Sequence, residues 1–365
     1  MTLHKFIISG VRARSALLLV AVLGLYGCAT IGPQSITAGR GVYTEVINNT
    51  EDEQILNVLV RQRYDETFGM ISVASVTANL QFSARAKADF GIGSKDNYKG
   101  NLTPLSAGVG YEENPTISYV PLSGEDFMRR MLSPVLLNEW ILLGNNARHP
   151  GQVLSLAARR INGLRNPRFD EEPASPEFAR FVELFDRLRR AGVLDTVQVQ
   201  GTGSGGNHFL DIHDYKDAHG DSVRELLDLI GIEVKLDGST ILLPIHEALG
   251  KSTSAVHLQT RSAYDVLRAF GTGIEIPPVH LEAGIVEPLL MPADPEEKRF
   301  ITIRSSEKRP DDATVQIRFR DWWFYIDATD TQSKKAFMLL RTFIGMRLAD
   351  PGAAQRAPII TVPVK

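Results

Sequence analysis

VTANLQFSARAKADFGI, residues 76–92, decides how the chain is read. Every even position is apolar: Val76, Ala78, Leu80, Phe82, Ala84, Ala86, Ala88, Phe90 and Ile92. The odd positions between them are Thr77, Asn79, Gln81, Ser83, Arg85, Lys87, Asp89 and Gly91. A period of two places one set on each face of a strand. The alternation resumes at Leu105, Ala107, Val109 and Tyr111, then at Ile117 and Tyr119, after the polar stretch Ser94–Gly100. The pattern predicts a long β-hairpin over about residues 73–121. Ala84-Arg85-Ala86-Lys87-Ala88 also has good helix propensity, so a helical reading of that segment stays open.

The length of the hairpin invites two uses. Soluble strands average about five or six residues, whereas about 9–11 tilted residues cross a bilayer. In the membrane reading, Leu80, Phe82, Ala84, Ala86, Phe90, Val109 and Tyr111 form a lipid-facing set. Two strands cannot close a barrel, and an open edge in lipid is untenable, so several protomers would each contribute a hairpin. That organisation resembles the lipid-anchored channel of curli secretion, in plan and not in sequence. Against it, Glu113 and Pro115 fall in the apolar register of the second strand, and the middle of the first is alanine. In the other reading, one face of the hairpin packs on a periplasmic domain or a neighbouring subunit.

Upstream, Lys5, Arg12 and Arg14 precede the twelve-residue apolar run Ser15–Tyr26. A basic start, a short apolar core and small residues at its end predict a signal peptide over 1–27. Leu25-Tyr26-Gly27-Cys28 resembles the lipobox of bacterial lipoproteins. The resemblance implies acylation of Cys28 with palmitate-type chains and cleavage before it. Ala29, where an Asp would resemble an inner-membrane retention signal, implies lipid anchoring to the outer membrane on its periplasmic face. Cys28 is the single cysteine in 365 residues, which excludes disulfides within the chain, thiolate zinc sites and a cysteine nucleophile.

Loss of residues 1–27 leaves 338 residues, and loss of its three basic side chains takes the formal charge from −3 to −6. That balance has no basic footprint for nucleic acid. With 43% hydrophobic and 23% charged residues, the chain is expected to fold as a globular α+β protein. The expected organisation is a tether over 28–34, a helical N-terminal region over 35–165 carrying the hairpin, a Pro-rich acidic linker over 166–177, and a mixed α/β domain over 178–365. A capping box at Thr50-Glu51-Asp52-Glu53 predicts a helix to Tyr64 with Ile55, Leu56 and Leu59 inward, and Arg61 and Arg63 on a solvated or ion-paired face. Helices are predicted near Glu125–Leu132, Val135–Leu143, Gln152–Gly163, Pro176–Ala191, Ser222–Ile230 and Ser333–Leu348, with another over Arg261–Phe270 capped by Thr260. Strands are predicted at Val193–Gln200, Phe300–Arg304, Thr314–Phe319, Trp323–Ile326 and the tail Ile359–Val364. Asp237-Gly238 predicts a tight hairpin joining Ile232–Leu236 to Thr240–Leu243.

Three stretches carry residue types suited to chemistry. His208, Asp211, His213 and His219 crowd a short segment and are candidate ligands for a metal ion, which would admit hydrolytic chemistry; no pair has HExxH spacing. Gly201-Thr202-Gly203-Ser204-Gly205-Gly206 lacks the following helix that a phosphate cradle needs, and reads as a loop. Asp327 and Asp330 flank the aromatic run Trp322–Tyr325 and suit turn and helix-cap roles. Glu113–Tyr119 and Trp323–Asp327 resemble segments of a proteobacterial outer-membrane lipoprotein family, a resemblance that implies no activity and no catalytic residues. The expectation is a non-enzymatic scaffold or accessory subunit of an envelope assembly, with the outer membrane and envelope proteins or further copies of itself as partners. A homo-oligomeric channel or secretion subunit and a metal-dependent hydrolase are the alternatives.

Overall fold

The computed structural model describes residues 41–77, 80–88, 105–113, 116–122, 124–167, 175–199, 207–216, 218–289, 300–348 and 360–363. Cys28, Phe90, the polar stretch 94–100 and the Gly-rich stretch 201–206 lie outside them. The chain divides into two units, Met1–Glu53 and Gln54–Lys365. Helix α1, residues 41–63, runs through the division. Thr50 is therefore not a helix start: its hydroxyl bonds back to the Ile47 carbonyl at 2.9 Å, the alternative open to a threonine inside a helix. In the second unit, Ile55, Leu56, Val58, Leu59 and Val60 are all buried, so the last turns of α1 are enclosed on nearly every side.

The second unit is α+β. After α1 come β1 (Met70–Thr77), β2 (Leu80–Ala88), β3 (Leu105–Glu113) and β4 (Thr116–Leu122). Helices α2 (Glu125–Leu132), α3 (Leu137–Asn146) and α4 (Pro150–Ala157) follow, then β5 (Ala158–Ile161) and β6 (Leu164–Arg165). The predicted helix over 152–163 thus ends early. Asn162 and Gly163 form a two-residue connection between β5 and β6, with Asn162 at φ 46°. Asn tolerates that left-handed geometry.

Helix α5 (Pro176–Arg190) begins as expected, with the Ser175 hydroxyl accepting the Phe178 amide and Pro176 in the first turn. Next come β7 (Leu194–Val199), β8 (Asn207–Ile212), α6 (Gly220–Leu229), β9 (Ile241–His246), β10 (Val256–Thr260), α7 (Ala263–Gly271) and α8 (Pro278–Glu282). The cap of α7 is Ser262, whose hydroxyl accepts the Asp265 amide. Thr260 instead ends β10, because Arg261 is needed between strand and helix. The expected hairpin around Asp237-Gly238 does not form; β9 finds β8 and β10 as partners. Asp237 closes a local turn onto Ser239, which holds its carboxyl below the usual range. The chain continues with β11 (Arg304–Ser306), β12 (Ala313–Phe319), β13 (Trp322–Asp327), α9 (Thr331–Leu348) and β14 (Ile360–Pro363).

Six strands make the main sheet, in the order β6-β5-β10-β9-β8-β7. Only the β9–β10 pair is parallel. Strands from both sides of residues 166–177 join this sheet, and one apolar core takes residues from Ile55 to Ile344. A three-stranded antiparallel sheet, in the order β11-β13-β12, docks through residues 273–275: the amide of Ile303 donates to the Gly273 carbonyl and that of Glu275 to the Ile303 carbonyl. A Cβ on Gly273 would sit 2.0 Å from the Ile301 carbonyl oxygen, so only glycine allows this approach.

Buried polar groups tie the elements together. Asn162, 2% exposed, donates through Nδ2 to the carbonyls of Ile230, Ser252 and Ala255 and accepts the His257 amide at Oδ1. Arg261, 1% exposed, donates to the carbonyls of Asn166 and Pro167. Arg347 on α9 pairs with Glu139 on α3 at 3.3 Å and donates to the carbonyls of Arg130 and Ser133.

Candidate assembly ribbon and its base

β1 to β4 make two antiparallel pairs in separate sheets, together termed the ribbon here. Its near half is β1 with β4, from Met70 opposite Leu122 to Thr77 opposite Thr116, with a bulge between Val73 and Ser75. Its far half is β2 with β3, from Leu80 opposite Glu113 to Ala88 opposite Leu105. The strand reading of 84–88 therefore prevails over the helical one. Directly opposite residues of an antiparallel pair share a face. The register sets Phe82 against Tyr111, Ala84 against Val109, and Ala86 against Ala107, so the apolar positions of both strands occupy one face. Gln81, Ser83, Arg85 and Lys87, opposite Glu112, Gly110, Gly108 and Ser106, occupy the other.

β2 and β3 have nine residues each, a length of about 30 Å. Among the described residues they pair with each other and with no third strand. The near half differs, because β14 lies against β4 from Ile360 opposite Tyr119 to Pro363 opposite Thr116.

The turn from α1 into the ribbon is held by charged and aromatic groups. Glu66 accepts from Arg61 at 3.0 Å and from Arg320 at 2.7 Å. Both guanidiniums lie over the Phe319 ring, 5.6 and 5.8 Å from its centre. Arg320 and Asp321 join β12 to β13, both at positive φ (46° and 65°), the backbone that a tight hairpin requires. Beneath them the Tyr64 hydroxyl meets His280 Nδ1 at 2.7 Å, both side chains buried. Phe319 and Phe324 pack edge-on against Tyr64, and Trp322 packs edge-on against His280. Burial pushes the Tyr64 hydroxyl up to about 12, partly offset by Arg63 and Arg320. Burial first, and then the Arg320 guanidinium, holds His280 below its ordinary value. At neutral pH the pair is an uncharged hydrogen bond.

The candidate metal ligands are dispersed by strand geometry. His208 lies on β8 opposite Ile245, in the alternation that carries the buried Leu210 and Ile212. Asp211 and His213 fall on the opposite alternation. His213 Nδ1 stands 3.6 Å from Asp211 Oδ1, too far for a hydrogen bond. His219 occupies the cap position of α6. Among the described residues, no three His, Cys, Asp or Glu side chains gather in a way that could hold a metal ion. The Gly-rich stretch connects the antiparallel neighbours β7 and β8 and is followed by a strand. Asp327 accepts the amide and hydroxyl of Thr329, and Asp330 accepts those of Ser333 at the start of α9; these are turn and cap roles.

A polar cleft of about 130 Å³ is lined by Gln62, Arg63, Asp65, Arg268, Thr272 and Glu287. It is smaller than the ~300–1,000 Å³ of sites that enclose small molecules. A larger hollow of about 440 Å³ is open and lined by α6 alone. Among the described residues no helix is long and apolar enough to cross a membrane. Sequence reasoning missed Tyr64, His280, Gln54 and Asn162, since each matters through a partner 17 to 216 positions away. No family model matches the chain, and no curated protein or solved structure matches it either.

Proposed function

We propose that the chain is a lipid-anchored protein of the periplasmic face of the outer membrane, serving as a non-enzymatic scaffold or accessory subunit of an envelope assembly. The observation that carries this reading is the β2–β3 hairpin, with nine-residue arms and, among the described residues, no third strand. An isolated two-stranded hairpin is marginal in water, and long uncovered edges recruit further strands. A partner that completes the hairpin meets both needs. The lipobox-like Leu25–Cys28 supplies the anchor and restricts the search to the membrane surface.

A test replaces residues 78–115 by Asn-Gly, joining β1 directly to β4. The wild-type chain, extracted in mild detergent, is expected to migrate in a complex larger than its own mass. The shortened chain should keep its anchor and its fold, and run alone. A shortened chain that stays in the same complex contradicts the proposal.

A second reading names the partner as further copies of this chain, each giving one hairpin to a channel in the outer membrane. Two features favour it: nine residues is the length a tilted strand needs to span a bilayer, and the register collects the apolar positions on one face. A complex that contains this chain alone supports it, whereas one that depends on another protein favours the accessory role.

A further inference from the structure

We infer that the buried contact between Tyr64 and His280 is an acid-sensitive catch: a proton on His280 drives Arg320 away from Glu66 and loosens the turn that leads from α1 to β1. The catch belongs to the chain itself and is independent of the partner that completes the hairpin. Three elements meet there. Tyr64 directly follows α1, His280 lies on α8, and Phe319, Arg320 and Trp322 come from β12, β13 and the turn between them. The imidazole is walled by the Tyr64 and Trp322 rings, whose centres are 5.7 and 6.0 Å away. The charged groups around the contact are Arg63 and Glu66 from the α1 side and Arg320 from the β12–β13 turn. The neighbouring carboxylates are already engaged, Glu66 with Arg61 and Arg320, and Asp321 with Arg318. Glu282, on α8 itself, is exposed.

A protonated His280 is a buried cation whose charged neighbour is Arg320, a second cation. Burial and like charge both disfavour that state. The side chain best placed to relieve it is Arg320, which is 45% exposed and can turn into water. Its departure is felt at one place. Arg320 donates through Nε at 3.1 Å and through Nη2 at 2.7 Å to the Glu66 carboxylate. Without it Glu66 keeps Arg61, five positions away, and its own amide still donates to the Arg61 carbonyl. Both of those bonds are local, so the tie between chain positions 66 and 320 is the one lost. Tyr64 stays packed edge-on against Phe319 and Phe324, so the change is a local loosening of residues 65–71 and not an unfolding. The sign follows from the site: folded His280 takes its proton below 6.5, so the catch is shut at neutral pH and opens in acid.

The test is hydrogen exchange, normalised to intrinsic rates, on the full chain in mild detergent between pH 5 and 7.5, beside His280→Asn and Arg320→Gln. Asparagine keeps an acceptor for the Tyr64 hydroxyl and takes up no proton. In the wild type, protection of the amides of 65–71 should fall below pH 6.5, by at most about tenfold per pH unit for one proton, while the β5–β10 ladder stays protected. His280→Asn should hold its protection flat across the range. Arg320→Gln, on an exposed turn, should be as loose at pH 7.5 as the wild type is at pH 5, with no step between. A wild type without the step overturns the inference, as does a step that persists in His280→Asn, which would assign it to another acid such as Glu66. Arg320→Gln with the wild-type step, or a loss of protection that reaches the β5–β10 ladder at the same pH, overturns it equally.

Discussion

Tyr64→Phe tests whether the buried tyrosine–histidine contact holds the base of the ribbon. The substitution keeps the ring and its edge-on packing against Phe319 and Phe324, and deletes only the hydroxyl. His280 Nδ1 then loses its 2.7 Å partner in a site where the imidazole is 5% exposed. Leaving a buried acceptor unsatisfied costs about 1–3 kcal/mol. For a unit of this size each kcal/mol lowers the melting temperature by about 2–4 °C. The contact also sets a pH dependence. The folded pKa of His280 lies below its unfolded value near 6.5, so between the two the unfolded chain binds more protons. The stability from this site is full above pH 6.5 and falls as pH drops toward the folded value, by at most about 1.4 kcal/mol per pH unit. Tyr64 acts at the other end: its pKa is raised from 10 to about 12, so its contribution is full below pH 10 and is lost as pH rises toward 12. The hydroxyl favours the neutral imidazole, so Tyr64→Phe should flatten the acid slope as well as lower stability at pH 7.5. Urea unfolding of the leaderless Cys28→Ser form from pH 5 to 8 measures both. A variant within 0.5 kcal/mol of its parent at pH 7.5, with an unchanged slope, would refute the assignment.

Ala84→Arg places a cation at the middle residue of β2 on the apolar face, opposite Val109, and should cost about 2–4 kcal/mol per protomer if that face meets lipid; Ser83→Arg on the other face is the control, and equal membrane assembly of the two variants contradicts the lipid-facing register. Asn162→Ala removes hydrogen bonds to three carbonyls and one amide and puts alanine at φ 46°, so it should rank among the most destabilising single changes, at about 3–5 kcal/mol by urea unfolding. Glu139→Ala strands the Arg347 guanidinium, whose side chain is 7% exposed, and should cost about 3–5 kcal/mol, whereas Glu139→Ala/Arg347→Met should recover much of that loss; a double variant no better than the single one counts against the buried pair.

The elements most legible in the sequence are those whose determinants are local. The alternation of 76–92 declared β2, Ser175-Pro176 declared the start of α5, and Asp330 with Ser333 declared the start of α9. The misreadings have a common physical cause. Thr50, Thr260 and Asp237-Gly238 all have good local chemistry for caps or turns, but longer-range partners decide those segments: α1 already runs through Thr50, Arg261 is held by Asn166 and Pro167, and β9 pairs with β8 and β10. The main sheet was not legible for the same reason, since β5 and β10 are separated by about a hundred residues and no pattern within either names the other. The candidate ribbon was half legible. Its alternation and length are printed in the chain, whereas the contact of Ile71 with Gln54 and the pairing of β4 with β14 join residues that no local pattern relates.

The most direct test of the central claim is the mass of the acylated protein in mild detergent, measured by light scattering beside the leaderless Cys28→Ser form. A large, discrete oligomer of the acylated, membrane-extracted protein is expected, beside a monomer of the leaderless one. A monomer or dimer in both forms, with no other protein retained, would contradict the claim that the hairpin is completed by an assembly.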